Sequence, residues 1–238
     1  MIKKVTTLLL LLNMMLFAEV NFAPLPTKVE AVQKDMIVVS TSSGVQIGTS
    51  GVVMHTFDET HKTVIASVEV VKKEGTKLYL KLLPFKYAPQ ETLPSYHIAP
   101  KVGDEVILNF LYNRALAIVP DADTYATVTK SYDNFEWVHP DIFAAKLSKS
   151  YNPTPSKETF QEMCTEQNIG LLLIYAQGQG NFVDCQSFKT IHTIPLPVAS
   201  SIKAPFFNRL DPIKGRIFGL FGGKGVKDYD SFYTKLLK

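Results

Sequence analysis

The amino-acid sequence predicts an α+β protein, with a β-rich barrel or sandwich on the N-terminal side followed by a smaller α+β lobe. Two patterns carry this prediction. Between residues 28 and 83, short runs rich in Val, Ile, Thr, Tyr and Phe alternate with turn residues, and after residue 133 two helical patterns precede a pair of strands. We therefore expect a β-rich domain over residues 19–132 and an α+β lobe over residues 133–238.

The first domain begins with four predicted strands. Closely spaced short strands separated by turn chemistry are typical of a small antiparallel barrel or sandwich. The strands are expected at residues 36–39, 51–57, 64–71 and 77–83, with turns at 42–44, 58–60 and 73–75. Four prolines within residues 84–100 then favour a long surface connection.

The most apolar stretch after the N-terminus, residues 102–120, predicts a central β-hairpin that closes the barrel. Its first strand would place a wholly apolar set on one face, namely Val106, Leu108, Phe110 and Tyr112. Asn113 and Arg114 would lie at the turn, and Pro120 would end the return strand. The alternation in residues 124–132 predicts a further strand.

In the second lobe, the sequence predicts the order helix, helix, hairpin, terminal helix. Proline followed by aspartate at residues 140–141 suits a first helical turn, and Ser156 or Thr154 can cap a second helix. The expected elements are helices to about residues 149 and 168, strands at 171–176 and 181–185, and a short helix within 228–238.

Residues 1–18 have the pattern of a signal peptide. Lys3 and Lys4 precede an apolar run over residues 6–17, and Ala18 is a small residue at which a peptidase could cut. The alternative is a membrane anchor, but the run is shorter than the roughly 20 residues that a spanning helix requires. Export from the cytoplasm is therefore expected, with no transmembrane span after signal removal.

The amino-acid composition argues against two classes of protein, disordered chains and nucleic-acid-binding proteins. With 46% hydrophobic and 20% charged residues, the chain is too apolar to be disordered. Without the leader it has 23 basic and 22 acidic residues, a net charge of +1. This balance argues against nucleic acid as a partner, since that would require a basic face.

The two cysteines are predicted to form a disulfide. Cys164 shares the apolar face of its predicted helix with Phe160, and Cys185 shares a strand face with Val183. Both sulfurs could therefore meet in one helix–sheet interface. In an exported protein, an even count of two favours a bridge. The alternative is two buried thiols that do not meet.

No enzyme constellation is predicted, and no metal or cofactor. Residues 48–51 superficially resemble a serine-protease nucleophile loop, but His55 and His61 follow Ser50 rather than precede it, so a turn between strands is favoured. Asp121 and Asp123 lack the other ligands of a calcium loop, which favours a solvated turn. A hydrolase that uses Ser50 remains a distant alternative.

The glycine-rich residues 219–225 do not form a P-loop motif. Phe218 stands where the first glycine is needed, and no Ser or Thr follows Lys224. We therefore expect no phosphate-binding loop here.

Three segments resemble the N-terminal domain of plasminogen-binding surface proteins of host-associated Gram-negative bacteria. They are residues 102–120, residues 139–164, and the pair NIGLLLI and FVDCQSF around Cys185. The likeness extends over about residues 21–237. It implies an exported cell-envelope protein, in the periplasm or on the outer cell surface of a Gram-negative bacterium, that captures host plasminogen through the lysine-binding kringle domains of plasminogen.

A kringle of this kind accepts an ammonium and a carboxylate held apart by an aliphatic stem in an aromatic trough. The resemblance therefore implies Lys238, with Lys235 beside it, as the ligand-binding residue, because a carboxyl-terminal lysine supplies all three parts. The alternative is a solvated chain end in a periplasmic structural or assembly protein that contacts another envelope protein and does not bind plasminogen.

Overall fold

Two β-sheets organise the chain in the computed structural model, which describes residues 22–41, 44–87, 98–215 and 225–238. The predicted signal peptide, residues 42–43 of the predicted turn at 42–44, residues 88–97 of the predicted connection and most of the glycine-rich segment lie outside these ranges. The first sheet contains β1 (Leu25–Lys28), β2 (Ala31–Gln33), β3 (Met36–Ser40), β4 (Ser50–Thr56), β5 (Lys62–Glu74), β6 (Lys77–Leu83) and β7 (Glu105–Leu108).

This first sheet is an antiparallel, curled half-barrel with strand order β1-β7-β4-β5-β6-β3-β2. Its two edge strands, β1 and β2, are consecutive in the chain, and the Thr27 hydroxyl donates to the Ser40 carbonyl 2.7 Å away. Alternate residues such as Val53, Val68 and Leu80 are fully buried in its concave core. The predicted β-rich, α+β architecture is thus confirmed, since its close-set β-branched runs fold as strands.

The second sheet is mixed and carries the helices. It has the strand order β12-β11-β10-β8-β9, and β8 is parallel to both β9 and β10. Its elements are β8 (Arg114–Ile118), α1 (Ala122–Ser131), β9 (Glu136–Val138), α2 (Pro140–Lys149), α3 (Lys157–Gln167), β10 (Leu171–Ala176), β11 (Gln179–Asp184), β12 (Thr190–Pro195) and α4 (Tyr229–Leu236). The strand β12 is not among the strands that the sequence predicts.

The predicted hairpin over residues 102–120 is wrong. Its two strands exist as β7 and β8, but β7 pairs with β1 and β4, whereas β8 lies between β9 and β10 in the other sheet. Asn109 and Leu111 adopt positive φ angles of 58° and 62°, which end the first strand and redirect the chain. Residues 115–118 of β8 are all buried, as expected of a central parallel strand rather than a half-exposed hairpin strand. The domain boundary at residue 132 stays a prediction.

The predicted strand over residues 124–132 is also wrong, because this segment forms helix α1. The side chain of Asp121 caps the helix by accepting a hydrogen bond from the Thr124 amide at 2.8 Å. The buried residues Thr124 and Val128 are four apart, which is the helical spacing. Asp121 is therefore not on a solvated turn: it is buried, and it also accepts from the amides of Ser200 and Ser201.

The helices expected from local signals are confirmed. Pro140 begins α2, and Ser156 caps α3, which ends at the left-handed residue Asn168. The turn between β10 and β11 uses Gln177 and Gly178 with φ angles of 52° and 74°, the left-handed pair that a two-residue hairpin favours. The short C-terminal helix is α4.

Candidate functional site

Of the two lysines that the sequence singles out, one lies in helix α4 and the other follows its C-cap. Lys235 lies exposed in its last turn, Leu237 is its C-cap, and Lys238 follows as an exposed residue. The Lys238 amide still donates to the Lys235 carbonyl at 3.4 Å, so the final residue continues directly from the helix. A basic residue in the last turn is also favoured by the helix dipole.

Two buried tyrosines fix α4, one to the second sheet and one to the segment after β12. The Tyr229 hydroxyl donates to the Ile118 carbonyl at 3.1 Å, and the Tyr233 hydroxyl donates to the Pro205 carbonyl at 2.7 Å. Burial raises the pKa of both phenols well above the usual value, so both hydroxyls remain protonated donors at neutral pH. Asp230 at the start of the helix accepts from the Gln177 amide at 2.7 Å.

The apolar side of α4 continues to the end of the chain. Leu236 and Leu237 are partly buried against the core of the second sheet, whereas Lys235 and Lys238 point away from it far enough to be exposed. The structure therefore brings the two lysines onto one anchored element, and only Lys238 extends beyond its last packed residue.

The disulfide between Cys164 and Cys185 is present, with an S–S distance of 2.03 Å and a Cα–Cα distance of 6.1 Å. It joins α3 to the residue that follows β11, and both sulfur-bearing side chains are buried. It lies far from α4 in sequence and belongs to the junction between the sheets.

That junction contains a buried carboxylate that sequence reasoning missed. Asp184 is 0% exposed and accepts hydrogen bonds from the Ser50 hydroxyl, from the Tyr112 hydroxyl at 2.7 Å and from the Ser187 amide at 2.6 Å. Burial raises the pKa of Asp184, because no cation lies among these partners to offset its desolvation. The same burial holds the pKa of Tyr112 well above its usual value.

Ser50 therefore has a structural role at this junction. It is the first residue of β4 and is only 7% exposed, and its backbone amide also points to Asp184, at 3.2 Å. Of the two histidines near Ser50 in sequence, His55 forms a hydrogen bond with Asp104 and His61 forms one with Asp58.

Neither a metal centre nor a membrane helix is found in the described part of the chain. No group of three or more His, Cys, Asp or Glu side chains is placed to hold a metal ion there. Among the same residues, no helix combines the length and the apolarity needed to span a bilayer.

These features define a disulfide-bonded α+β protein whose β-rich half-barrel is joined to a helix-bearing mixed sheet. The chain belongs to the family described as plasminogen-binding protein pgbA N-terminal, whose model matches residues 24–237. This confirms the resemblance found in the sequence. Among curated proteins, none matches the chain.

Proposed function

We propose that this chain is an exported cell-envelope protein that presents Lys238 to a lysine-binding kringle of host plasminogen. Membership of the plasminogen-binding family is the observation that carries the proposal. The exposed position of Lys238 beyond an anchored helix supports it, because a kringle must enclose the ammonium, the stem and the carboxylate without meeting the body of the partner.

Lys238 suits this role better than Lys235. As the proposed carboxyl-terminal residue, Lys238 would carry an α-carboxylate together with its ammonium. Lys235 offers an ammonium alone, because its carboxyl group forms the peptide bond to Leu236. Lys235 would therefore contribute a secondary charge contact at the rim of the interface, where charges chiefly affect the association rate.

The packing of the last residues determines which deletion can test this proposal. Removing residues 235–238 together would also remove Leu236 and Leu237, which pack on the core, and loss of binding would then be ambiguous. Deleting Lys238 alone avoids this. We expect the intact chain to bind immobilised plasminogen and a lysine analogue to inhibit this binding. Deletion of Lys238 should abolish the part of the binding that the analogue inhibits.

Lys235→Ala provides the matched control, since it removes a neighbouring exposed lysine and keeps the terminal one. Equal affinity of the intact and deleted chains would refute the assignment to Lys238. Absence of any plasminogen binding would favour the alternative of a structural or assembly protein of the envelope. Protease shaving of intact cells tests the export step, because plasminogen is met only outside the cell.

A further inference from the structure

A cleft of about 710 Å³ separates the first sheet from helix α3. Its sheet side includes the end of β6 and the residues after it, and its base is formed by residues 185–187, which follow β11. Small-molecule sites are typically about 300–1,000 Å³ and often lie where two structural units meet. The side chains that line the cleft therefore determine which ligand it can bind.

The sheet side of the cleft is largely apolar. Leu83, Pro84 and the phenol ring of Tyr87 line it. Burial, together with the negative charge of Asp184, raises the pKa of Tyr87, so its hydroxyl stays neutral. This wall can cover a hydrocarbon stem, and the aromatic ring can also face a cation.

The helix side presents three carboxylates in successive turns of α3. Glu158, Glu162 and Glu166 are spaced four residues apart and therefore lie on one face. Glu69 of β5 adds a fourth carboxylate, whereas Lys86 is the one basic side chain among the described lining residues. An anionic ligand is thus disfavoured.

Neighbouring lysines neutralise only part of this charge. Lys189 pairs with Glu69 at 2.8 Å. Lys146 is shared between Glu166 at 2.6 Å and Glu162 at 3.5 Å, and no Lys or Arg of the described chain pairs with Glu158. Like charges four residues apart on a helix repel each other, so a cation between Glu158 and Glu162 would lower this repulsion beyond what Lys146 and Lys157 already do.

We propose that this cleft binds a small organic cation, with its ammonium between Glu158 and Glu162 and its alkyl stem along Leu83, Pro84 and Tyr87. A free alkyl diamine and a lysine side chain share this chemistry. This inference is independent of plasminogen binding, because it involves neither Lys238 nor α4.

Calorimetric titration of the purified chain with 1,8-diaminooctane tests the proposal, with 1,8-octanediol as the probe of equal stem length and no charge. We expect the diamine to bind and the diol not to bind. Blocked lysine, N-acetyl-lysine amide, is titrated in parallel, and the tighter of the two amines identifies the source of the ammonium.

The double variant Glu158→Gln/Glu162→Gln should weaken binding of the amine at least about fivefold, as expected from the loss of two exposed ion pairs. The control variant Glu59→Gln/Asp133→Asn makes the same change in net charge at exposed positions outside the cleft lining and should leave binding unchanged. Equal binding of diamine and diol, or equal weakening by both double variants, would overturn the proposal.

Discussion

Ser50 at the start of β4 donates its hydroxyl to the carboxylate of Asp184 at the end of β11, and this contact joins the two sheets. The glutamine and serine side chains that follow Asp184 also bind the first sheet and its flanking loop. The side-chain amide of Gln186 donates to the Val68 carbonyl at 3.1 Å, and the Ser187 hydroxyl donates to the Gly48 carbonyl at 2.7 Å. The segment that follows β11 is therefore the polar link between the half-barrel and the mixed sheet.

Replacing Asp184 by Ala should lower the free energy of unfolding by about 2–4 kcal/mol, because the buried donors of Ser50 and Tyr112 and the partly buried amide of Ser187 would lose their acceptor. Denaturant unfolding checks this value. Asp133→Ala, at an exposed position, is the control and should change stability by less than about 0.5 kcal/mol. A similar small effect of Asp184→Ala would contradict the role of this carboxylate.

Asp184 should also make stability depend on pH. Its pKa is raised in the folded protein, so the folded state holds the proton more tightly than the unfolded state. The resulting stabilisation is complete below the unfolded-state pKa, close to 3.8, and is lost as the pH rises through the folded-state pKa. In Asp184→Asn this titration is absent. The stability of the wild-type chain relative to this variant should fall with rising pH, and a constant or rising difference would contradict the raised pKa.

Loss of the disulfide should loosen the same junction. The variant Cys164→Ser/Cys185→Ser should be less stable by about 3 kcal/mol, because the bridge spans a sequence separation of 21 residues. Hydrogen exchange should accelerate at the amides of Ser50 and Ser187, which both point to Asp184. Acceleration confined to α3, with Ser50 unchanged, would show that the bridge does not support the link between the sheets.

Gly170 allows the chain crossing between the sheets to pass close to the start of β10. A Cβ atom at this position would meet the Leu111 carbonyl and would lie 2.8 Å from the Tyr112 amide nitrogen. Gly170→Ala should therefore cost about 1–3 kcal/mol of unfolding free energy through overpacking. Gly44→Ala is the matched control, because a Cβ atom there meets nothing within 4 Å. Equal stability of the two variants would contradict the close approach.

Elements with local signals could be predicted from the sequence, whereas pairings between distant residues could not. The cap at Ser156 and the proline at the start of α2 fix these helices within a few residues. The partners of β7 and β8 lie in other parts of the chain, so alternation alone suggested that the two strands paired with each other. Asp184 was missed because its partner Ser50 is 134 residues away.

The sequence pattern was also ambiguous at α1. Residues 124–129 are rich in β-branched side chains, which favours a strand, but the capping carboxylate of Asp121 and the helical spacing of Thr124 and Val128 favour the helix that forms. Lys238 could be selected from the family resemblance alone. Its position after an anchored helix could not, because that depends on the hydrogen bonds of Tyr229 and Tyr233 to distant carbonyls.

The central claim is that a kringle of plasminogen binds the terminal lysine through both its ammonium and its carboxylate. The most direct measurement is the affinity of plasminogen for the chain before and after one glycine is appended to Lys238. This extension keeps the lysine side chain and the packing of α4 but moves the carboxylate one residue further along. We predict that the extended chain loses the part of its plasminogen binding that a lysine analogue inhibits. Undiminished affinity of plasminogen for the extended chain would contradict the account.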